Sequence, residues 1–391
     1  MIRSVFRLVT VAVLLATAAG CSNYVLGVVQ SLGLPNGPKI STIVGNGTGG
    51  YSGDGIPATS AEISLPYGVT VSSSGNLYIA DSKNCLIRMV DKSGVMHTVA
   101  GNPAMGPGYS GDTGPATFAQ LNAPLAVAVD SSGNLYIADA GNSVIRMVAT
   151  NGKIYTVAGI QGSPTHWNDS TPLAPVLATT VDLGYPYGLA VDSSQNVYIA
   201  DMGYNVIWEL SGIPGTTMTI TTVAGDNSLG AGNAGDGRPA TQAELNYPTG
   251  VAVDTLGNLY IADTQNCVIR EVNTSHVINT IVGNGQSGYT GDGGPALSAQ
   301  ISYPSNVTVD SSGNLYLSAG QYYPTVRMVD TSGNINTIAG NVHLGGGYAG
   351  DGNVATAAML NGPWGLTFDL TGNLLIADRL NNRIRKVALA K

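Results

Sequence analysis

The sequence predicts an all-β protein, a six-bladed β-propeller in which an N-terminal strand completes the last blade. A repeated hexapeptide, the strand signals around it and the unpaired strand signals at the two ends support this prediction. The hexapeptide reads NLYIAD in its commonest form and occurs six times, 56 to 62 residues apart. Such a period indicates an array of similar supersecondary units. The copies are Asn76–Asp81, Asn134–Asp139, Asn196–Asp201, Asn258–Asp263, Asn314–Ala319 and Asn373–Asp378.

Each repeat contains four short strand signals separated by turns. In the first repeat these are GVTV after Pro66, the LYIA of the hexapeptide, LIRMV at residues 86–90 and HTVAG at residues 97–101. Their apolar residues are consecutive rather than alternate, so each strand must bury both of its faces. A four-stranded sheet that is covered on both faces by its own copies is a propeller blade.

The two ends of the array predict how the ring closes. The array begins with a lone fourth-strand signal, STIVG at residues 41–45, and ends on a third strand, RIRKV at residues 383–387. Pairing these segments completes the sixth blade and leaves no long strand edge open to aggregation. The propeller is therefore expected to span residues 40–391.

Residues 1–20 have the features of an export signal. Arg3 and Arg7 flank the start of a mostly apolar run, and small residues lead directly into Cys21. A small-residue run that ends on cysteine is similar to a bacterial lipoprotein signal, which predicts that Cys21 is lipidated and that residues 21–39 form a tether. The expected location is the bacterial cell envelope, as a periplasm-facing or surface lipoprotein. An ordinary cleaved signal, which would give a secreted protein, is the alternative.

Three recurring pieces between residues 41 and 387 carry a family resemblance: P-x-G-V-A-V-D, N-L-Y-I-A-D and N-x-x-I-R-x-V. They resemble the NHL-repeat family of six-bladed propellers. The segments between them, of the form GYSGDGxPATxAxLxxP, resemble the NHL portion of teneurins and related bacterial proteins. The resemblance implies a binding platform, because most NHL propellers act in this way, although some six-bladed relatives are lactonases or peptide-amidating lyases with metal ligands around the channel.

The crossovers between repeats carry one aspartate each in five cases. The Pro-Ala-Thr segment that follows predicts one or two helical turns, with the aspartate accepting backbone N–H bonds at their N-terminus. A Ca²⁺ site of aspartate and carbonyl oxygens is the alternative, although one carboxylate per loop is few, and no other cofactor is predicted. These aspartates are Asp54, Asp112, Asp236, Asp292 and Asp351.

The aspartate that ends the hexapeptide and the arginine seven residues later predict a structural ion pair. Four near-identical copies are typical of repeat architecture rather than of an active site. The pairs are Asp81 with Arg88, Asp139 with Arg146, Asp263 with Arg270, and Asp378 with Arg385.

Two repeats depart from this pattern and predict a binding sector on the top face, which carries the crossovers and the second–third strand loops. Repeat three has tryptophan in place of the arginine and an atypical crossover, and repeat five has Ala319 in place of the aspartate. Aromatic residues on such loops are natural recognition anchors; refilling of vacated space is the alternative. The candidate binding residues are His166, Trp167, Asp169, Tyr204, Trp208, Tyr322 and Tyr323.

The charge and the inner strands limit the function. The net charge is −8 without a basic block, which argues against nucleic-acid binding. The inner strands open with small or apolar residues except for Asn306, and none of the four histidines has metal-ligand spacing. We therefore expect a binding or scaffolding module for a protein, peptide or glycan, with membrane contact only through the lipid anchor. A metal-assisted hydrolase or lyase of the lactonase or amidating-lyase type is the alternative.

Overall fold

Six antiparallel sheets follow one another along the chain in the computed structural model, which describes residues 37–162, 172–212, 217–320 and 322–389. Residues 38–391 form one compact unit. The predicted signal segment, Cys21 and nearly all of the tether lie outside the described residues, as do His166, Trp167 and Asp169.

Each sheet is a blade of four main strands, numbered here in the order of their first strands. Blade 1 comprises Pro66–Val71, Leu77–Asp81, Leu86–Val90 and Met96–Ala100, and blade 2 comprises Pro124–Val129, Leu135–Asp139, Val144–Val148 and Ile154–Ala158. Blade 3 comprises Pro186–Val191, Val197–Asp201, Val206–Gly212 and Met218–Ala224, and blade 4 comprises Pro248–Val253, Leu259–Asp263, Val268–Val272 and Val277–Val282. Blade 5 comprises Pro304–Val309, Leu315–Ala319, Thr325–Val329 and Asn334–Ala339. Blade 6 comprises Pro363–Phe368, Leu374–Asp378, Arg383–Ala388 and the N-terminal strand Lys39–Val44.

The ring closes as the sequence predicts. Lys39–Val44 pairs antiparallel with Arg383–Ala388, with Ile40 opposite Val387 and Thr42 opposite Arg385. The first strand of every blade contacts the first strands of the two neighbouring blades, including those of blades 6 and 1. The prediction of a six-bladed propeller completed by an N-terminal strand is therefore confirmed.

The hydrophobic core is divided into six layers, one between each pair of consecutive blades. The layer between blades 1 and 2, for example, packs Ile87 of one blade against Ile137 of the next, and both are fully buried. Because each sheet is covered on both faces, the strands need consecutive apolar residues. This requirement explains the unbroken apolar runs in the sequence.

The crossovers differ from their predicted form. Each contains a 3-10 turn shortly before the next blade, and the crossover from blade 3 to blade 4 contains a second one, Asn227–Leu229. The described residues contain no α-helix and so no helix long and apolar enough to cross a membrane. The proline or its equivalent precedes the turn instead of lying in it; Pro57, for example, has φ −55° and ψ 131°. The turns are Ala58–Ser60, Ala116–Phe118, Ala178–Thr180, Ala240–Gln242, Ala296–Ser298 and Ala355–Ala357.

The same crossovers join neighbouring blades at their outer edges. The carbonyl of Ala58 accepts the N–H of Gly45 at the end of one outer strand, and its N–H donates to Gly94 before the next. In three blades the crossover adds a two-residue strand to the outer edge. These bonds protect edges that would otherwise be free to pair with another molecule. The short strands are Val176–Leu177, Arg238–Pro239 and Gly294–Pro295.

Candidate functional site

A buried arginine lies between two aspartates in four of the six blades. In blade 2, Nη2 of Arg146 is 2.6 Å from Oδ1 of the crossover residue Asp112, and Nη1 is 3.5 Å from Oδ2 of Asp139 at the end of the second strand. Arg146 and Asp139 are fully buried, whereas Asp112 is partly exposed. Each such cluster ties a crossover to its blade. The equivalent sets are Asp54–Arg88–Asp81, Asp236–Arg270–Asp263 and Asp351–Arg385–Asp378.

The strand-end aspartate receives further hydrogen bonds. Oδ1 of Asp139 accepts the backbone N–H of Asn122 at 2.7 Å, and Oδ2 accepts Nδ2 of Asn142 at 2.8 Å. Asn142 also donates to the carbonyl of Gly108. Burial raises the pKa of Asp139 to about 6, although these bonds and Arg146 act to lower it. The aspartate thus holds both ends of the crossover at the top of the blade.

The crossover aspartates bond to arginine and not to a helix N-terminus. The turn Ala116–Phe118 has no side-chain cap, and Asp112 bonds to Arg146 and the hydroxyl of Tyr109. The predicted position at a helix N-terminus is therefore wrong, because a buried guanidinium takes the carboxylate. Three of these aspartates do accept a backbone N–H, but from the outer strand: Asp236 from Thr280, Asp292 from Thr337 and Asp351 from Thr42. A Ca²⁺ ion would have to compete with that guanidinium for the same oxygens. Among the described residues, no three His, Cys, Asp or Glu side chains are grouped so that they could hold a metal ion.

Blade 3 replaces the arginine of this cluster with a tryptophan. Nε1 of Trp208 donates to Oδ2 of Asp201 at 3.0 Å, so the indole takes over one hydrogen bond of the guanidinium. Trp208 is 1% exposed and Tyr204 is 6% exposed, and their ring centroids are 6.5 Å apart. The prediction that these two residues bind a ligand at the surface is wrong, because both belong to the core between blades 2 and 3.

Blade 5 keeps the arginine but lacks the strand-end aspartate. Nη2 of Arg327 is 2.5 Å from Oδ1 of Asp292, and Nε is 3.1 Å from the same atom. Tyr322 and Tyr323 are 62% and 37% exposed, and their rings lie beside the tyrosines of the preceding crossover segment. These two tyrosines form an exposed rim patch, and no contact among the described residues places them with Trp208.

The first strands surround a central cavity of about 200 Å³. Among the described residues, none with a charged side chain lines it. The small residues at the third position of these strands allow neighbouring backbones to approach, since a Cβ on Gly188 would lie 2.6 Å from the carbonyl oxygen of Thr249. Their smallness therefore serves packing and says little about the chemistry of the channel.

Three aromatic rings meet at the top mouth of this cavity. The rings of Tyr187 and Trp364 are stacked at 5.5 Å with an interplanar angle of 28°, and Tyr67 lies 6.0 Å and 5.2 Å from them, edge-on. Tyr187 comes from blade 3 and Trp364 from blade 6, which are opposite each other in a six-membered ring. The three side chains must therefore reach the axis of the propeller. All three are half-buried, and burial raises the pKa of Tyr187.

Arg379 adds a positive charge to this mouth. Its guanidinium carbon lies 4.8 Å from the ring centroid of Tyr67 and 5.2 Å from that of Trp364, and Nη1 donates to the hydroxyl of Tyr67. Its Nε is buried without a hydrogen-bond partner. No aspartate or glutamate among the described residues forms an ion pair with it. Such a cation–π arrangement is worth about 0.5–2 kcal/mol, depending on desolvation.

Local backbone bonds position the mouth residues. Leu65, just before the first strand of blade 1, adopts φ +50°, and its N–H donates to Oδ1 of Asn382 at 2.9 Å. Asn205 bonds to Tyr247 in the same way between blades 3 and 4. A left-handed conformation in a non-glycine residue is costly and persists only where its surroundings impose it. Each loop thus fixes the start of the next blade's first strand.

Sequence reasoning missed the mouth, although two aligned positions signal it. The residue after the first-strand proline is Tyr67, Leu125, Tyr187, Thr249, Ser305 or Trp364 in the six repeats. The residue after the hexapeptide is Ser82, Ala140, Met202, Thr264, Gly320 or Arg379. Variation at a fixed position of a repeat is the signal that could have identified these residues.

These features define a class of protein: a closed propeller of one repeated sheet, with a concave aromatic mouth at the top of its channel. The family model for the teneurin NHL domain matches residues 46–106, 103–225 and 216–290, more than half of the chain. The chain therefore belongs to the teneurin NHL domain family, in agreement with its motifs.

Human teneurin-4 is 28% identical over an alignment 289 residues long, which covers 64% of this chain and 10% of teneurin-4. The chain thus spans about a tenth of the length of that relative. Among solved structures, an auxiliary nutrient binding protein from Bacteroides ovatus superposes with a TM-score of 0.63 at 14% identity, over 91% of this chain and 78% of that one. A gluconolactonase from Xanthomonas campestris superposes with a TM-score of 0.52 at 13% identity, over 91% of this chain and 96% of that one. At these identities the structures share the fold alone.

Proposed function

We propose that this chain is an exported, lipid-anchored binding module that takes its ligand at the top mouth of the channel. The observation that carries the proposal is the cluster of Tyr67, Tyr187 and Trp364 with Arg379. Large aromatic side chains and arginine dominate the energetics of recognition surfaces, above all where they are partly desolvated.

The surroundings of the cluster support this role. The cavity below it is concave and uncharged, with the amide of Asn306 in its lining. Precisely placed polar groups in a concave pocket fix the orientation of a ligand. The nutrient-binding protein of the same fold is also consistent with a binding role.

A mouth variant compared with a rim variant tests the proposal. Purified parent protein, Trp364→Leu and Tyr323→Leu would be applied to glycan and peptide arrays after circular dichroism has shown that all three are folded. We expect Trp364→Leu to lose the parent's ligands and Tyr323→Leu to keep them. The opposite result would place the site at the exposed rim of blade 5. If both variants kept all ligands of the parent, both locations would be contradicted.

The anchoring part of the proposal rests on Cys21 and the apolar run before it. A lipidated cysteine holds a protein on the membrane when other signals support it. In a bacterial host, the full chain is expected in the membrane fraction with incorporated fatty acid, and Cys21→Ser is expected in the soluble exported fraction. Equal membrane recovery of both proteins would contradict lipidation.

A further inference from the structure

We infer that the mouth selects a monoanionic sugar, a pyranose unit bearing a carboxylate such as a uronic acid. This inference rests on the proposed binding function and specifies its ligand. The positive charge comes from Arg379, the rings from Tyr67 and Trp364, and a polar lining group from Asn306.

The missing counter-charge of Arg379 indicates an anion. The fully buried third-strand arginines all face aspartate, as Arg146 faces Asp112 and Asp139. Nε of Arg146 also lacks a hydrogen-bond partner, so an unpartnered Nε does not distinguish the two arginines. What distinguishes Arg379 is that no carboxylate within the described ranges faces it. Arg383 also lacks an aspartate, but it donates to the backbone carbonyls of Asn381 and Asn46. Arg379 donates only to a tyrosine hydroxyl among the described residues.

The charge of the site indicates a single carboxylate. One guanidinium binds one carboxylate through two parallel N–H···O bonds. A polyanion or a phosphate cluster would need several cations, whereas none of the described residues lining the cavity is charged and the whole chain has a net charge of −8. The negative field of the whole protein therefore opposes a polyanion most strongly, whereas the one guanidinium can offset a single carboxylate.

The uncharged groups of the mouth favour a sugar ring. Tyr67 and Trp364 are half-buried, so part of each ring remains for contact with the C–H groups of a pyranose, although one face of Trp364 stacks on Tyr187 and Arg379 covers a face of Tyr67. The side chain of Asn306 has no hydrogen-bond partner among the described residues although it lines the cavity, so its amide can donate to and accept from hydroxyl groups. A cavity of about 200 Å³ is smaller than the roughly 300–1,000 Å³ of pockets for drug-sized molecules. A single terminal unit therefore suits the site.

Calorimetric titration with matched ligands tests the inference. The ligands are the methyl glycoside of galacturonic acid, which has one carboxylate, its neutral methyl ester, acetate, and a short acetylated peptide with a free C-terminal carboxylate. We expect the parent to bind the acid at least about tenfold more tightly than the ester, as the loss of one charged hydrogen-bonded contact implies. In Arg379→Gln this preference is expected to disappear. Arg379→Lys, which keeps the charge without the planar fork, should retain part of it.

Arg383→Gln is the matched control, because Arg383 is on the same blade and stacks on Tyr348, away from the mouth cluster. It should bind like the parent. Equal binding of acid and ester, or an unchanged preference in Arg379→Gln, would overturn the inference but leave a mouth that binds sugars. Tighter binding of the peptide or of acetate alone would overturn the sugar class. If Trp364→Leu also left all binding unchanged, the proposed function itself would fail.

Discussion

Arginine occurs in two contrasting settings in this molecule. Arg146 and its equivalents are fully buried and lie between two aspartates beneath a crossover. Arg379 is half-buried at the channel mouth, against two aromatic rings and without a carboxylate partner in the described part of the chain. The first setting recurs in four blades, whereas the second occurs at one position of one repeat.

The difference shows how a repeat protein separates stability from recognition. An arginine whose charge is balanced by two aspartates is not available to bind an anionic ligand. Because this cluster recurs, it fixes the crossovers of four blades in the same way. An arginine without its own counter-charge adds little to folding and can receive an anion. The two settings can therefore be separated by measuring stability and binding on the same variants.

The largest effect is expected for Arg146→Ala. Removing the guanidinium leaves Asp139 buried without its ionic partner, which should lower the free energy of unfolding by about 3–5 kcal/mol. Denaturant unfolding measures this loss. Arg383→Ala, which removes an arginine bonded to backbone carbonyls, should cost no more than about 1 kcal/mol. Similar losses for the two variants would show that the carboxylate clusters are not the stabilising element.

A smaller effect is expected for Trp208→Phe. This change keeps most of the buried ring but removes the indole N–H that Oδ2 of Asp201 accepts. The loss of a buried hydrogen bond to a carboxylate should cost about 1–3 kcal/mol. Trp364→Phe at the mouth is the control, because no carboxylate depends on it. If both substitutions cost the same, the indole of blade 3 acts through its volume and not as a substitute for the arginine.

The regular clusters should also give the fold a pH dependence. Burial raises the pKa of Asp81, Asp139, Asp263 and Asp378 to about 6 each, above the ordinary value of 3.8. The folded state therefore binds protons that the unfolded state has already released, so stability rises as the pH falls from 7 towards 4. The pKa values of Asp292 and Asp351 are lowered, so the protonation of these two residues reduces stability only at still lower pH.

The variant Asp139→Asn sharpens this prediction. It removes one of the four equivalent carboxyls, so it should lose at most about one quarter of the gain in unfolding free energy between pH 7 and pH 5, because burial also raises the pKa values of Glu209 and Glu271. Melting temperatures across that range provide the measurement. A parent protein that loses stability on acidification to pH 5 would contradict the direction of the pKa shifts.

The ring of blades was predictable because each repeat contains the same four strand signals, and because the lone strand at the start of the array supplies the strand that the last repeat lacks. The role of Asp112 was not predictable, because a Pro-Ala-Thr segment forms a 3-10 turn as readily as a helix and the sequence does not show which group reaches the carboxylate. Trp208 was misinterpreted for a similar reason: its strand position faces the core whatever residue occupies it. The mouth depends on side chains of blades 3 and 6 meeting across the axis, a contact that no local pattern expresses.

The smallest effect on stability is expected at the mouth. Arg379→Gln removes the cation–π contacts with Tyr67 and Trp364 and one hydrogen bond to Tyr67, which together should cost about 0.5–2 kcal/mol. No carboxylate among the described residues is left unpaired by the change, in contrast to Arg146→Ala. The same variant should lose the preference for an acidic ligand, which the stability variant Trp208→Phe should keep. If Arg379→Gln instead destabilised the fold as much as Arg146→Ala, Arg379 would have a structural role like that of Arg146. The distinction between a stabilising and a ligand-binding setting for arginine would then fail.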